Sequence, residues 1–154
     1  MHLYYTLVYP HLIYCNNVWG GAGICLTNDL FIAQKKVIRK ISFLKKFDHS
    51  NPAYVSLKVL KYKDLIDYYA TIFVSKTLNT PGSTMFQQRG NGPYSLRNSS
   101  LLQIPSTHSA QAQTHISFRG VKVWNSLPES IRLRPTIYSF KKSLKQHYLN
   151  RYIQ

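Results

Sequence analysis

The sequence predicts a mainly α-helical protein, an irregular helical bundle with one long polar loop and a short β-hairpin around residues 100–118. Two observations predict this fold class. Apolar residues recur at spacings of three and four along several segments, and glycine, proline and small polar residues separate those segments. The 154 residues suffice for one domain with a single core. We expect a helical region over 1–80, a polar loop over 81–115, and a helical tail over 116–154 that packs on the first region.

The first helix is expected over residues 2–20, HLYYTLVYPHLIYCNNVWG, with a kink or a restart at Pro10. Proline supplies no backbone amide, so the regular hydrogen bonding of the helix breaks there. The segment is apolar on almost every side, which predicts that something covers it. Polar residues interrupt it and no basic stretch precedes it, so we predict neither a signal peptide nor a membrane span.

The second helix carries an apolar stripe and a basic face. Thr27 or Asn28 is the expected N-cap, with Asp29 in the first turn. Its predicted core-facing stripe, with spacings of four and three, consists of Leu26, Leu30, Ala33, Val37, Ile41 and Leu44. A shorter helix is expected after it, with Asn51 as the cap and Pro52 at the first helical position.

Two further helices are predicted from their apolar spacing. In the helix over 63–79 the core-facing residues are Leu65, Ile66, Tyr69, Ile72 and Phe73. In the last helix, which starts at about Thr136, they are Ile137, Phe140, Leu144 and Tyr148. The polar loop over 82–114 lies between them, with a short strand at 101–104. Trp124 is expected in the core, and Ser126 and Glu129 match the capping-box pattern of a helix start.

The charge balance is the most unusual property of the chain. Twenty Lys and Arg residues oppose five acidic ones, which leaves a formal net charge of +15. Because so few carboxylates cannot neutralise that excess, most cations lie in solvent or face an anionic partner, and nucleic acid is the usual one. A merely soluble basic surface is the alternative. Cys15 and Cys25 cannot build a disulfide framework, so a reducing compartment is expected.

The basic residues concentrate towards the end of the second helix. The candidate nucleic-acid-binding residues are Lys35, Lys36, Arg39, Lys40, Lys45 and Lys46. No acid interrupts them, whereas charges of both signs usually alternate on a solvated face, so the run suits a phosphate backbone. A solvated helix face is the alternative reading. Lys141, Lys142 and Lys145 form a second, weaker basic patch.

Neither catalytic residues nor a metal or cofactor site are predicted. Asp64 and Asp67 lie one helical turn apart, but a two-metal site needs more converging carboxylates. Acids near a helix start more often interact with the helix dipole. His11 and Cys15 have a ligand-like spacing with Cys25 nearby, but zinc would need a fourth ligand. We therefore predict that the chain is not an enzyme on its own.

Four blocks occur in this order along the chain: LYYTLVYPHLIYCNNVWG, AQKKVIRKI, SLKVLKYKDLIDYYATIFVSK, and FRGVKVWNSLPESIR followed by SFKKSLK. Together they resemble the C-terminal part of the reverse transcriptases of LINE-type (non-LTR) retrotransposons, particularly jockey-like elements. The resemblance covers essentially the whole chain. It implies a thumb-like helical region over 1–80 and a helical tail beyond it. In that family the thumb packs on a palm domain and grips the template–primer duplex of RNA and DNA.

The resemblance carries over no catalytic residue. The family's polymerase acids lie in a YxDD-type motif, and no two aspartates are adjacent in this chain. What it implies is a nucleic-acid contact by the basic helix over 34–40, QKKVIRK, and an ancestral palm partner that is missing here. The chain then resembles a remnant without autonomous catalysis. Two alternatives remain open: a stand-alone basic nucleic-acid-binding module, and an inert truncated open reading frame derived from a transposon. A nuclear or a cytoplasmic location is equally compatible with the sequence.

Overall fold

The computed structural model describes residues 2–21, 24–89 and 101–153. These residues are mainly helical and contain no sheet, so the predicted irregular helical bundle is confirmed. A π-helical turn at Tyr4–Val8 comes first. The α-helices that follow in the described residues are α1 (Tyr9–Ile13), α2 (Asn16–Trp19), α3 (Ile24–Ile41), α4 (Asn51–Ser56), α5 (Tyr62–Leu78), α6 (Ala110–Thr114), α7 (Ile116–Ser126), α8 (Glu129–Arg132) and α9 (Ile137–Asn150).

The core is built around α5, which contacts α2, α3, α7 and α9. Leu65 and Val74 of α5 belong to the same buried cluster as Val121 of α7 and Leu144 of α9. Gly120 lets α7 approach α5 closely, because a Cβ at this position would lie only 3.0 Å from Cγ2 of Val74. The N-terminal and C-terminal helices therefore share one core.

The first segment is interrupted twice. The amide of Tyr9 donates to the carbonyl of Tyr4, and this wider π-helical turn places Pro10 in the first turn of α1. The predicted restart at Pro10 is therefore confirmed. A second break follows at Cys15, whose φ of 46° is left-handed, and α2 begins at the next residue. The sequence analysis did not predict this second break.

The rest of the described chain covers the first segment on one side only. Tyr4 and Leu12 lie in the core. The exposed apolar side chains of the segment are Leu3, Tyr5, Leu7, Tyr14, Val18 and Trp19. An apolar surface of this kind usually marks an interaction site.

The α3 helix turns a partly different face to the core than its apolar spacing predicts. It begins at Ile24, before the expected cap at Thr27 or Asn28. Gln34 and Ile38 are buried, whereas Leu26 and Leu30 of the predicted stripe are exposed. The second half of the stripe is confirmed, because Val37, Ile41 and Leu44 pack against the core. The sequence does not predict the burial of Gln34, whose side-chain amide is hydrogen-bonded on both sides, which removes most of the cost of burying a polar residue.

The hairpin expected around 100–118 is absent from the described residues 101–118. Leu102 instead forms a single antiparallel bridge with Gln88. Helices α6 and α7 occupy most of the positions at which the second strand of a hairpin would lie. Residues 90–100 of the predicted loop lie outside the described residues.

The α6 helix lies inside the segment predicted as a loop. Its sequence AQAQT favours a helix, and the hydroxyl of Ser109 caps it by accepting from the amide of Ala112 at 3.1 Å. The sequence analysis overlooked this helix because it is short and none of its residues is buried.

The helix junction around Trp124 is buried as predicted, but its capping box does not form. Ser126 is the last residue of α7, and its hydroxyl donates to the carbonyl of Val123 at 2.7 Å. Pro128 is the residue before α8, and no side chain caps that helix. Because the backbone of Ser126 is still helical, its hydroxyl points back into α7 and away from the amide of Glu129.

The predicted apolar faces of α5 and α9 are largely confirmed. The predicted residues that are buried there are Leu65, Ile66, Ile72, Phe140, Leu144 and Tyr148. The hydroxyl of Thr136 caps α9 by accepting from the amide of Ser139 at 3.2 Å. Ile137 is the exception, because it lies in the first turn of α9 with its side chain exposed. The start of α4 differs from the prediction by one residue. Ser50 is the residue before the helix, and the expected cap Asn51 is its first helical residue.

Candidate nucleic-acid interface

Four of the six predicted cations are exposed on α3 or in the loop that follows it. Lys36 and Lys40 are exposed on the helix, and Lys45 and Lys46 are exposed in the loop. Within the part of the chain that the structure describes, none of these lysines forms an ion pair with a carboxylate. Their charges therefore face solvent without a carboxylate partner.

The loop begins with a Schellman motif that reverses the chain after α3. The amide of Phe43 donates to the carbonyl of Lys40 at 3.2 Å, and the amide of Leu44 donates to that of Arg39 at 3.0 Å. Phe43 occupies the left-handed position of the motif with a φ of 52°. Glycine is the usual residue there because a side chain strains this conformation.

Arg39 holds the loop rather than pointing towards solvent. Its guanidinium donates to the backbone carbonyls of Lys45, Lys46 and Asp48, the last two at 2.9 Å and 2.5 Å. The carboxylate of Asp48 in turn accepts from the amide of Lys45 at 2.7 Å. Arg39 therefore positions two of the lysines, and most of its hydrogen-bonding capacity is already used.

Four of the six predicted residues meet at one shallow cleft of about 510 Å³. The residues that line this cleft are Lys36, Arg39, Lys40, Phe43, Leu44 and Lys46. The lining combines two apolar side chains with four cationic ones, and no acidic residue lines the cleft. We call this surface, together with Phe47, the α3 cleft.

Lys35 and Lys45 do not line the α3 cleft. Lys35 is partly buried on the side of α3 that faces the start of α5. Burial lowers the pKa of the Lys61 ammonium, and the nearby charge of Lys35 lowers it further, although Asp64 opposes both effects. Lys35 therefore belongs to a different surface. Gln34, at the start of the predicted contact segment, is a core residue.

Two phenylalanines of the α3 cleft were missed by the sequence analysis. Phe43 is 93% exposed and Phe47 is 89% exposed. The ammonium of Lys46 lies over the ring of Phe47, 5.7 Å from its centroid. The signal that could have found them is the sequence FLKKF at residues 43–47, shortly after the helix, in which two phenylalanines flank two lysines.

The second basic patch borders a group of tyrosines between α1, α5 and α9. Lys145 and Lys58 line a small cleft together with Tyr5, Tyr9 and Tyr68. Burial lowers the pKa of the Lys145 ammonium, and the charge of Lys58 lowers it further. This patch is more enclosed than the α3 cleft, because its cleft has a volume of only about 50 Å³.

Asp64 has structural partners within the chain. The carboxylate of Asp64 accepts from the hydroxyl of Tyr152 and lies 3.9 Å from a guanidinium nitrogen of Arg151. Asp67 is partly buried one turn later. In the described ranges no three His, Cys, Asp or Glu side chains are placed to hold a metal ion. Cys15 is exposed as a free thiol.

The described helices include none that is both long enough and apolar enough to cross a membrane.

The chain matches no family model, and no curated protein or solved structure matches it either. The resemblance to retrotransposon reverse transcriptases therefore stays a prediction.

Proposed function

We propose that the α3 cleft binds RNA or DNA through backbone phosphates. The observation that carries the proposal is the convergence of Lys36, Lys40 and Lys46 on one cleft with no acidic residue in its lining. Lysines held close together without counter-charges repel one another, and a bound polyanion relieves that repulsion. The formal net charge of +15 draws such a polyanion towards the chain from a distance.

The proposed binding does not depend on base sequence. Reading base edges requires side chains such as Arg, Asn or Gln that can present paired hydrogen-bonding groups. The α3 cleft has lysines, and its single arginine, Arg39, donates to the loop carbonyls. Ammonium groups act as point charges on phosphates and carry no sequence information.

The family resemblance supplies an ancestral role for this binding. We propose that the chain is a remnant of the thumb-like and post-thumb region of a LINE-type reverse transcriptase, which held the template–primer duplex while another domain performed the chemistry. The exposed apolar side of the first segment, with Leu7, Tyr14 and Trp19, is the surface that a palm domain would cover. The chain alone carries out no polymerisation in this proposal. A stand-alone binding module is the second candidate, and it would use the same α3 cleft.

The test compares two charge-reversal triples. The cleft triple is Lys36→Glu, Lys40→Glu and Lys46→Glu. The control triple is Lys76→Glu, Lys122→Glu and Arg134→Glu, which changes the net charge equally at exposed positions outside the cleft. We expect the cleft triple to weaken binding to a short RNA–DNA hybrid by about 100-fold or more, and the control triple to weaken it much less.

Fluorescence anisotropy at low salt measures these affinities, and thermal unfolding checks that both triples remain folded. Equal losses of affinity in the two triple variants would mean that the net charge of the protein, and not the α3 cleft, determines binding. No measurable binding by the unaltered protein would leave the inert remnant as the better account.

A further inference from the structure

The two exposed phenylalanines of the α3 cleft are not needed to hold phosphates. Phe43 is exposed although its backbone adopts a left-handed conformation that glycine would adopt without strain. Phe47 is exposed at the other end of the same loop. The exposed ring of Phe43 is not stabilised by burial in the core, and its left-handed backbone conformation costs free energy. Such a residue indicates a binding partner outside the chain.

The partner must offer flat π surfaces next to negative charges. The lining of the cleft combines the apolar side chains of Phe43 and Leu44 with lysines. A nucleotide has the matching pair of features, a base that stacks on an aromatic ring and a phosphate that binds an ammonium. In a duplex the faces of the bases are covered by their neighbours, so only an unpaired or terminal base can stack on a protein ring.

We propose that Phe43 and Phe47 stack on unpaired bases, so that the α3 cleft prefers single-stranded RNA or DNA, or a single-stranded overhang, to a blunt duplex. This inference rests on the proposed function, because the lysines bring the strand to the cleft. The inference adds that the cleft prefers single strands to duplexes. Lys46 contributes to both interactions, since its ammonium lies over the ring of Phe47 and beside the cleft.

An anionic membrane surface is the competing occupant, because lysines and phenylalanines also suit lipid headgroups and acyl chains. The arrangement favours a strand. Only two large apolar side chains are exposed at the α3 cleft, Phe43 and Phe47, whereas an amphipathic membrane helix presents a continuous apolar face. The exposed apolar residues of α3 itself, Leu26, Leu30 and Ile32, lie in its N-terminal half, away from the cleft residues that begin at Lys36.

The test uses the variant Phe43→Gly with Phe47→Ala. Glycine keeps the Schellman motif and relieves its strain, so the variant is expected to unfold at the same temperature as the unaltered protein or at a higher one. The matched control is Tyr138→Ala, which removes another exposed aromatic ring outside the cleft. The two probes are a single-stranded oligothymidylate and an abasic strand of equal length, which has the same phosphates and no bases.

We expect the unaltered protein to bind the oligothymidylate about ten- to a hundredfold more tightly than the abasic strand. The double variant should lose that preference and still bind the abasic strand normally, while Tyr138→Ala should change neither affinity. If the double variant binds both strands as the unaltered protein does, or loses both equally, the stacking proposal is overturned.

The two proposals fail in different ways. Absence of binding to the abasic strand by the unaltered protein would contradict phosphate binding itself. If the unaltered protein binds the abasic strand but the phenylalanine substitutions change neither affinity, only the stacking proposal is contradicted. Phenylalanine-dependent binding to phosphatidylserine vesicles, with nucleic-acid binding unaffected by the variant, would assign the two rings to a membrane and overturn the inference.

Discussion

At the scale of single residues, Gln34 connects three parts of the core. Its side-chain nitrogen donates to the carbonyl of Leu60 at 2.8 Å and to the hydroxyl of Tyr4 at 3.0 Å. Its side-chain oxygen accepts from the amide of Tyr62 at 2.7 Å. The side chain is only 1% exposed, so these bonds are shielded from water. They fix the first segment and the start of α5 against α3.

Replacing Gln34 by leucine tests this role. The change leaves the amide of Tyr62 and the carbonyl of Leu60 without their side-chain partner. We expect the free energy of unfolding to fall by about 2–4 kcal/mol, because each buried polar group left unpaired costs about 1–3 kcal/mol. Urea unfolding measures the change. Gln146→Leu, at an exposed position of α9, is the control and should change stability by less than about 0.5 kcal/mol. Equal effects of the two substitutions would contradict the proposed network.

Asp67 is a second residue whose surroundings set its chemistry. Burial raises the pKa of its carboxyl group to about 6, against the partly compensating charge of Arg119. The negative charge of Asp64 raises this pKa further. The folded chain therefore holds this proton more tightly than the unfolded chain does. It follows that Asp67 stabilises the fold at low pH relative to neutral pH.

The substitution Asp67→Asn should remove this pH dependence. Between about pH 4 and about pH 6, the stability of the unaltered protein should fall relative to that of the variant, and then level off. The total difference should be at most about 3 kcal/mol, at 1.36 kcal/mol per pKa unit. Urea unfolding of both proteins across this range measures it, with the exposed Asp29→Asn as control. Parallel stability curves for the unaltered protein and Asp67→Asn would contradict a raised pKa.

At the scale of elements, α3 combines two functions on opposite sides. One side contributes Gln34 and Ile38 to the core. The other side leads into the α3 cleft, where Arg39 fixes the loop and the lysines remain unpaired. Because the same helix is anchored in the core and carries the cleft, the lysines have a defined spacing before any ligand binds. Such preorganisation lowers the entropy lost on binding.

A single side chain, that of Asn125, holds one edge of the segment before α6. The side-chain oxygen of Asn125 accepts from the amide of Leu102, and its side-chain nitrogen donates to the carbonyl of the same residue, both at 2.9 Å. Leu102 pairs with Gln88 on its other edge. The side-chain amide of Asn125 thus pairs with the backbone amide and carbonyl of Leu102, as the backbone of a neighbouring strand would do. This gives Asn125, which lies within the block FRGVKVWNSLPESIR, a structural role that its sequence context does not predict.

Asn125→Ala should release this segment without unfolding the chain. The amide of Leu102 loses its acceptor, so its hydrogen-exchange protection should fall by about ten- to a hundredfold, as expected for a lost bond of about 1.4–2.8 kcal/mol. The amide of Leu144 in α9 should keep its protection. Asn150→Ala, at an exposed site, should affect neither amide. Unchanged protection of Leu102 in Asn125→Ala would contradict the proposed role.

The elements differ in how far their sequences predict them. The buried face of α9 follows from its apolar spacing, and Thr136 marks its start, because both are local properties. The buried face of α3 depends on Gln34, and its partners lie more than 20 residues away in sequence. Arg39 was predicted to contact nucleic acid, but its bonds to carbonyls of the following loop depend on how that loop folds back. Local pattern cannot predict such tertiary contacts.

At the scale of the whole molecule, the charge is predictable from composition but its placement is not. The excess of Lys and Arg is plain in the sequence. Only the fold distinguishes Lys36 and Lys40, which meet at the α3 cleft, from Lys35, which lies towards α5. The mainly helical fold class is also predictable, since several helices have clear apolar spacing.

The most direct test of phosphate binding by the α3 cleft is the salt dependence of affinity for a nucleic-acid duplex. If about four phosphates are neutralised, log K should fall with log salt at a slope of roughly −3 to −4. The cleft triple, Lys36→Glu with Lys40→Glu and Lys46→Glu, should reduce the slope to about −1, and the control triple should leave it near its original value. A slope that is shallow in the unaltered protein, or one that the two triples reduce equally, would contradict the assignment of the α3 cleft as the binding surface.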